Sequence, residues 1–238
     1  MSDRKFYDLH TDFEGEKEAI VKRAEELELA GICIVHCYRG EKELQDYLSE
    51  IVKIREKSKV EIISGVMLYG DEMEKIAQKI RKKVDLLLAY GGKYNINRAA
   101  CSSDLIDILC HPERERRDCG IDNICCREAK EHNTIVELNF RRLLTSAGSR
   151  KVRELHLMKE LVRLCTKTQA PFIVNSGART PWELRGGREL AALSCALGAN
   201  LYQSLVSNSE VPEKLISENR KKVTQPLRGV YLQDERQA

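Results

Sequence analysis

The chain has 238 residues, 42% of them hydrophobic, which is enough to bury one sizeable core and fits a single domain over 1–238. No apolar run approaches the roughly 18 residues of a membrane span, and the charged N-terminus lacks the apolar segment of a secretion signal, so membrane partners drop out and a soluble, cytoplasmic protein is expected. The 40 Lys and Arg residues barely exceed the 37 Asp and Glu, and the 9 cysteines are scattered without a C-x-x-C pair; this excludes a strongly basic nucleic-acid binder, a disulfide framework and a structural zinc knot.

Short β-rich runs alternate with stretches whose apolar residues recur every three or four positions. A first strand is expected at 5–10, then a helix near 16–30 that aligns Ile20, Ala24 and Leu27. The second strand, 31–36, is followed by a helix near 41–57 with Leu44, Tyr47, Leu48, Ile51 and Ile54 inward. Here Cys33, His36 and Cys37 lie close together, yet alternation along a strand points His36 away from both cysteines, which makes the trio a poor metal site. The third strand, 60–68, leads into a helix opened by Asp71 and Glu74 at capping-box spacing. A strand at 84–90 and a short helix near 96–102 follow, then a strand at 106–111 and a helix carrying Ile121, Ile124, Cys125 and Ala129. The sixth strand, 134–140, precedes the clearest helix, with Leu155, Met158, Leu161, Val162 and Cys165 on one side. A seventh strand at 171–175 feeds a helix that Gly198 stops, and an eighth at 200–203 feeds a last helix from about Ser209. Residues from about 225 read as a frayed tail.

Eight strand-helix units imply parallel strands with right-handed crossovers, and eight can close into an α/β, (β/α)8 TIM-barrel-like domain. Closure is preferred to an open doubly wound sheet because Asp8 and His10, and later Glu137 and Asn139, stand on alternate strand positions where a barrel would turn them to its mouth.

In such barrels function gathers beyond the C-terminal ends of the strands. Asp8, His10, Asp12, His111, Glu113 and Glu137 fall there, and Asp, His and Glu converging from separate strands suit a hydrolytic metal site as well as they suit hydrogen bonds between loops. A metal-dependent phosphoesterase would use Asp8, His10, His111 and Glu113 as ligands and Glu137 to position water. Against it stands a run of cations just past the sixth strand, Arg141, Arg142, Arg150, Lys151 and Arg153, with no acidic residue among them. Lys93 and Arg98, Arg114, Arg116 and Arg117, and Arg179, Arg185 and Arg188 add to it from neighbouring loops. Such a rim suits phosphodiester backbone, since each neutralised phosphate releases counterions and guanidinium grips phosphate bidentately. No P-loop, dinucleotide fingerprint or nucleophile elbow is present, and the few aromatics promise no stacking platform.

Several ordered segments, "FYDLH" (6–10), "LLLAYGGKYNINRAA" (86–100), "DILCHPE" (107–113), "IVELNFRRLL" (135–144) and "WELRGGRELAAL" (182–193), together resemble the protein component 3 family of archaeal ribonuclease P, counterpart of the eukaryotic thirty-kilodalton subunit. The resemblance implies a barrel related to the polymerase-and-histidinol-phosphatase hydrolases, serving as a subunit of the endoribonuclease that removes the 5′ leader of precursor tRNA. It implies that ribonuclease P RNA carries the chemistry with its Mg2+, so that no catalytic residue and no tightly bound cofactor is expected here. It also implies ribonuclease P RNA, precursor tRNA, a small ferredoxin-like subunit and other ribonuclease P proteins as partners. The metal-dependent relatives begin with His-x-His, where this chain has His10 and then Asp12. Their later Asp-x-His-like pair is met here by Gly177 and Arg179. A cation that loses ligands and gains a guanidinium is poorly held, so the six-residue cluster reads as a relic.

Overall fold

The computed structural model describes residues 4–12, 15 and 17–224, with side chains through 221; the expected tail lies outside them. Seven strands, β1 (Tyr7–Thr11), β2 (Gly31–Cys37), β3 (Glu61–Leu68), β4 (Leu86–Tyr90), β5 (Ile108–Cys110), β6 (Ile135–Asn139) and β7 (Phe172–Asn175), form one sheet in chain order. Every neighbouring pair is parallel. Helices α1 (Lys17–Glu26), α2 (Glu41–Lys57), α3 (Met73–Ile80), α4 (Tyr94–Cys101) and α5 (Asn123–His132) cross between the first six strands. Beyond β6 come a short α6 (Arg141–Leu144) and the long α7 (Gly148–Thr168), and beyond β7 follow α8 (Gly187–Ala196), α9 (Leu201–Ser207) and α10 (Glu210–Thr224).

Alternation along the strands divides the core in two. Ile32, Ile34, Ile62, Val66, Leu87, Val136, Leu138, Phe172 and Val174 face outward and pack with the helices. Tyr7, Leu9, Cys33, Val35, Ile63, Met67, Leu88, Cys110, Ile135 and Ile173 fill the lumen. Strands buried on both faces in this way read as nearly continuous apolar runs. The alternation also holds in β2, where Cys33 faces the lumen while the His36 ring stacks on Tyr47 of α2 at 5.0 Å. Leu215 and Ile216 of α10 enter the lumen cluster, and Asn219 hydrogen-bonds Asp107 Oδ1 at 2.8 Å just ahead of β5. The helix thereby plugs the N-terminal end of the barrel and leaves the opposite end open.

The expected eighth strand at 200–203 is instead the first turn of α9. Asn200 caps it, accepting from Gln203 N at 2.8 Å while Gln203 Oε1 accepts from Asn200 N at 3.4 Å, and this reciprocal capping box commits the segment to helix. The seam between β7 and β1 is closed by other means. Near the plugged end, the buried Asn208 side chain acts as a peptide group: Oδ1 accepts from Val174 N at 3.4 Å and Nδ2 donates to Val174 O at 2.6 Å. Its own backbone carbonyl accepts from Tyr7 N at 3.0 Å. Near the open end, Leu9 N donates to Asn175 Oδ1 at 2.9 Å and Gly177 N to His10 O at 3.0 Å, beside a parallel bridge between Thr11 and Ala178. The result is a seven-stranded, nearly closed TIM-barrel-like fold whose missing strand is replaced by one amide side chain and a helical bridge.

Candidate functional site at the barrel mouth

β1 brings the first polar residues to the open end. Strict alternation from Tyr7 and Leu9, both in the lumen, would send His10 outward. Between Asp8 and Thr11, however, the register with β2 shifts, and such a bulge re-aims the side chain it carries. His10 therefore turns into the lumen, where Nδ1 lies 2.6 Å from Glu137 Oε1 and Nε2 lies 3.1 Å from Asp12 Oδ1. Asn175 Nδ2 donates to the same Glu137 oxygen at 3.0 Å. Asp8, fully buried, sits on the seam and accepts from Ser176 N at 3.2 Å and from His10 N at 3.3 Å.

The electrostatics follow from this pairing. Burial opposes charge on His10, but the Glu137 and Asp12 carboxylates overcome it and hold the imidazolium well above the usual histidine range. Burial likewise pushes Glu137 and Asp12 upward, yet the His10 charge outweighs it and both fall to about 2. His111, whose ring edge meets His10 at 5.8 Å, is driven by burial to about 4 and is neutral. Burial raises Asp8 to about 6 and Glu113 to about 7. Glu113 leaves Oε1 without a hydrogen bond, its nearest cation being Arg142 Nε at 3.9 Å.

Among the described residues, His10, Cys110 and Glu137 bring three ligand-type atoms within 4.8 Å of one another. The donors do not fit a cation. Both imidazole nitrogens already face carboxylates, burial raises the Cys110 thiol far from its thiolate form, and the Arg179 guanidinium lies 3.6 Å from Asp12. A proton on His10 supplies the positive charge that a metal would otherwise bring.

The expected contact residues divide into two groups. Arg142 pairs with Glu154 at 2.7 Å, Arg141 with Glu183 at 3.0 Å, and Arg116 grips Asp118 through two bonds of 2.6 and 2.9 Å. Arg114 pairs with Glu115 at 3.0 Å and lies over the Tyr90 ring; Arg185 donates to Trp182 O at 2.8 Å, and Arg153 donates to Arg116 O. The side chains of Lys93, Arg98, Arg117, Arg150, Lys151 and Arg188 are exposed and make no hydrogen bond or ion pair among the described residues. The loops after β4 and β5 and the start of α7 adjoin, since Arg116 also donates to Gly92 O at 3.3 Å and Arg153 of α7 donates to Arg116 O. Lys93, Arg117, Arg150 and Lys151 thus share one flank of the mouth. On the opposite flank, a cavity of about 740 Å³ is lined by Asp12, Glu43, Asp46 and Glu50 together with Lys17, Arg39 and Arg179, Lys17 pairing with Glu50 at 2.7 Å and Arg179 with Asp12 at 3.6 Å. The mouth carries unpaired cations on its β4–β6 side and a mixed, partly paired set of charges on its β1–β3 side.

Two residues to which the sequence reading gave no structural role hold this geometry. Buried Asn97 accepts from Gly92 N at 2.9 Å and donates to Pro112 O at 2.9 Å and Gly120 O at 2.7 Å, pinning the loops after β4 and β5 together. Gly177 has φ +62, and a Cβ there would overlap the Asn139 side-chain amide.

The model of the RNase P subunit p30 family matches residues 5–224 of this sequence. The chain belongs to that family. A family relative, Ribonuclease P protein component 3 of Methanococcoides burtonii, is 28% identical over 236 residues, spanning 98% of this chain and 95% of its own length. The protein of the same name from Methanocaldococcus jannaschii is 31% identical over 191 residues, 79% of this chain and 81% of its own. The fold also matches a chain in the cryo-EM structure of archaeal ribonuclease P with mature tRNA, with a TM-score of 0.83 and 27% identity, covering 98% of this chain and all of that one. The p30 family scaffold accounts for the barrel, and the ion-paired lumen shows what occupies its mouth in this member.

Proposed function

We propose that this chain is a protein subunit of ribonuclease P, the endoribonuclease that removes the 5′ leader of precursor tRNA, and that it is itself noncatalytic. The observation that carries the reading is the end-to-end likeness, in sequence and in fold, to ribonuclease P proteins. The mouth supports it. His10, Asp12 and Glu137 are spent on one another, which argues against a hydrolytic metal held by those three. The unpaired cations on the β4–β6 flank are placed to act as fixed counterions for RNA phosphates. In this reading Mg2+ enters through the RNA alone, no cofactor is tightly bound, and the chain works in the cytoplasm. It acts with a small ferredoxin-like subunit and other ribonuclease P proteins, and substitutes fixed charge for diffusible ions in holding the RNA in its active form.

Reconstitution tests this. Ribonuclease P RNA and its other proteins, assembled with and without this chain, should differ in the Mg2+ concentration that gives half-maximal cleavage of precursor tRNA, the complete particle needing less. An identical Mg2+ requirement in both assemblies would sink the reading. Stoichiometric zinc or manganese in the isolated protein, together with phosphomonoester hydrolysis abolished by His111→Ala, would replace it with the hydrolase alternative.

A further inference from the structure

We propose that Tyr69 and Tyr90 form a stacking platform for one unpaired nucleobase of a single-stranded RNA segment, seated in the cavity between the loops that follow β3, β4 and β5. The inference rests on the RNA-bound reading above and deepens it. Unpaired cations grip backbone from outside, whereas this cavity offers a flat face to a base.

The site is built from adjacent strand ends. Tyr69 follows β3 directly and Tyr90 ends β4, so neighbouring parallel strands bring the two rings together at 4.7 Å with a tilt of 33°. Both are fixed. The Tyr69 hydroxyl is hydrogen-bonded with Cys37 Sγ at 3.3 Å. Tyr90 is held from behind by the His111 ring edge at 5.2 Å and by the Arg114 guanidinium, 4.8 Å from its centroid. An aromatic ring held this way loses little freedom when a ligand stacks on it. Tyr69 nonetheless stays 47% exposed. Its free surface borders a cavity of about 440 Å³ that is also lined by Tyr90, Lys93, Ile96, Arg114 and Arg116.

The lining decides the class of ligand. Aromatic faces backed by guanidinium groups favour planar, π-rich partners. The Lys93 side chain, exposed and without a partner among the described residues, stands ready for the phosphate of the same nucleotide. The acidic groups of the rim are already engaged: Glu115 pairs with Arg114 at 3.0 Å, and Asp71 accepts from Asn95 at 3.1 Å. In a duplex both faces of a base are covered by its neighbours, so only an unpaired base fits. Stacking is tolerant of base identity, and the occupant is defined by its strandedness.

The test uses the full-length chain and a short single-stranded oligoribonucleotide carrying 2-aminopurine at its centre, whose fluorescence falls on stacking. Wild-type protein should quench it, and the same sequence in duplex form should not be quenched. Tyr69→Leu should abolish quenching and weaken binding about tenfold, equivalent to about 1.4 kcal/mol, without altering the salt dependence. Tyr69→Phe should retain both. Unchanged affinity and quenching in Tyr69→Leu, or a loss in Tyr69→Phe as large as in Tyr69→Leu, overturns the platform. A parallel titration with structured ribonuclease P RNA separates the two readings. If Arg150→Ala/Lys151→Ala weakens that binding while Tyr69→Leu leaves the oligonucleotide unaffected, the platform falls and the RNA interface stands. If wild-type protein binds neither RNA, both fall.

Discussion

Glu113 shows how a single buried carboxyl sets the pH response of the fold. Its folded pKa, raised to about 7 chiefly by burial, exceeds the unfolded value of 4.5. The stability linked to its protonated form is therefore fully present below about pH 4.5 and lost as pH rises through 7. His10 acts in the same direction: its pKa is raised well above 6.5, so its contribution is present below that value and fades at higher pH. Glu137 and Asp12, lowered to about 2, contribute above their unfolded values of 4.5 and 3.8 and lose that contribution only as pH falls towards 2. Urea midpoints should accordingly be higher near pH 5.5 than at pH 8. Glu113→Gln, which keeps the shape and removes the charge, should flatten the difference by about 1–2 kcal/mol while changing little at pH 5. An undiminished fall in the variant would show that Glu113 is not its source. Breaking the buried ion pair is more severe. Glu137→Gln leaves the His10 imidazolium without its nearest counterion and should cost about 3–5 kcal/mol in urea unfolding at pH 6; a loss under about 1 kcal/mol would mean that the pair is not formed.

At the scale of elements, the informative place is the seam where an eighth strand would stand. Asn208 offers Val174 both halves of a peptide bond and presents its carbonyl to Tyr7. Asn208→Ala leaves a buried N–H and a buried C=O of β7 unpaired, at about 1–3 kcal/mol for each group. Amide exchange should accelerate at Val174 and at its β1 neighbours well before β3 or β4 responds, and uniform exchange across the sheet would show that the seam is closed otherwise. Seven of the eight strands were legible because each is an apolar run bounded by polar turns and followed by helical periodicity. The eighth was not, because the repeat itself invited another strand at 200–203 while the local chemistry, Asn200 and Gln203 at capping-box spacing, already spelled a helix start. The site shows the same division. His10, Asp12 and Glu137 could be grouped from strand ends alone. The β1 bulge that turns His10 inward, the Asn97 staple and the Tyr69–Tyr90 contact depend on register between strands, which no single stretch of sequence carries.

Across the whole molecule, charge sorts by flank and by function. The plugged end holds ion pairs such as Arg81 with Asp107 and Arg220 with Asp85, whose work is to seat α10. The mouth keeps unpaired cations on its β4–β6 flank and a mixed, partly paired set of charges on the other. Arginines equally close to the mouth in sequence therefore have different roles, and salt dependence tells them apart. Each phosphate contact contributes about 0.7–0.9 to the slope of log affinity against log salt. Arg150→Ala/Lys151→Ala should thus lower the slope for ribonuclease P RNA by about 1.5 and leave the unfolding midpoint unchanged, because neither side chain has a partner to strand among the described residues. Arg142→Ala should do the reverse: Glu154 and Glu113, both buried, lose their shared counterion, so stability falls while the slope holds. If the slope follows Arg142 instead and ignores the Arg150/Lys151 pair, the RNA lies across α6 rather than along the start of α7, and the division of the mouth into a contact flank and a bracing flank is wrong.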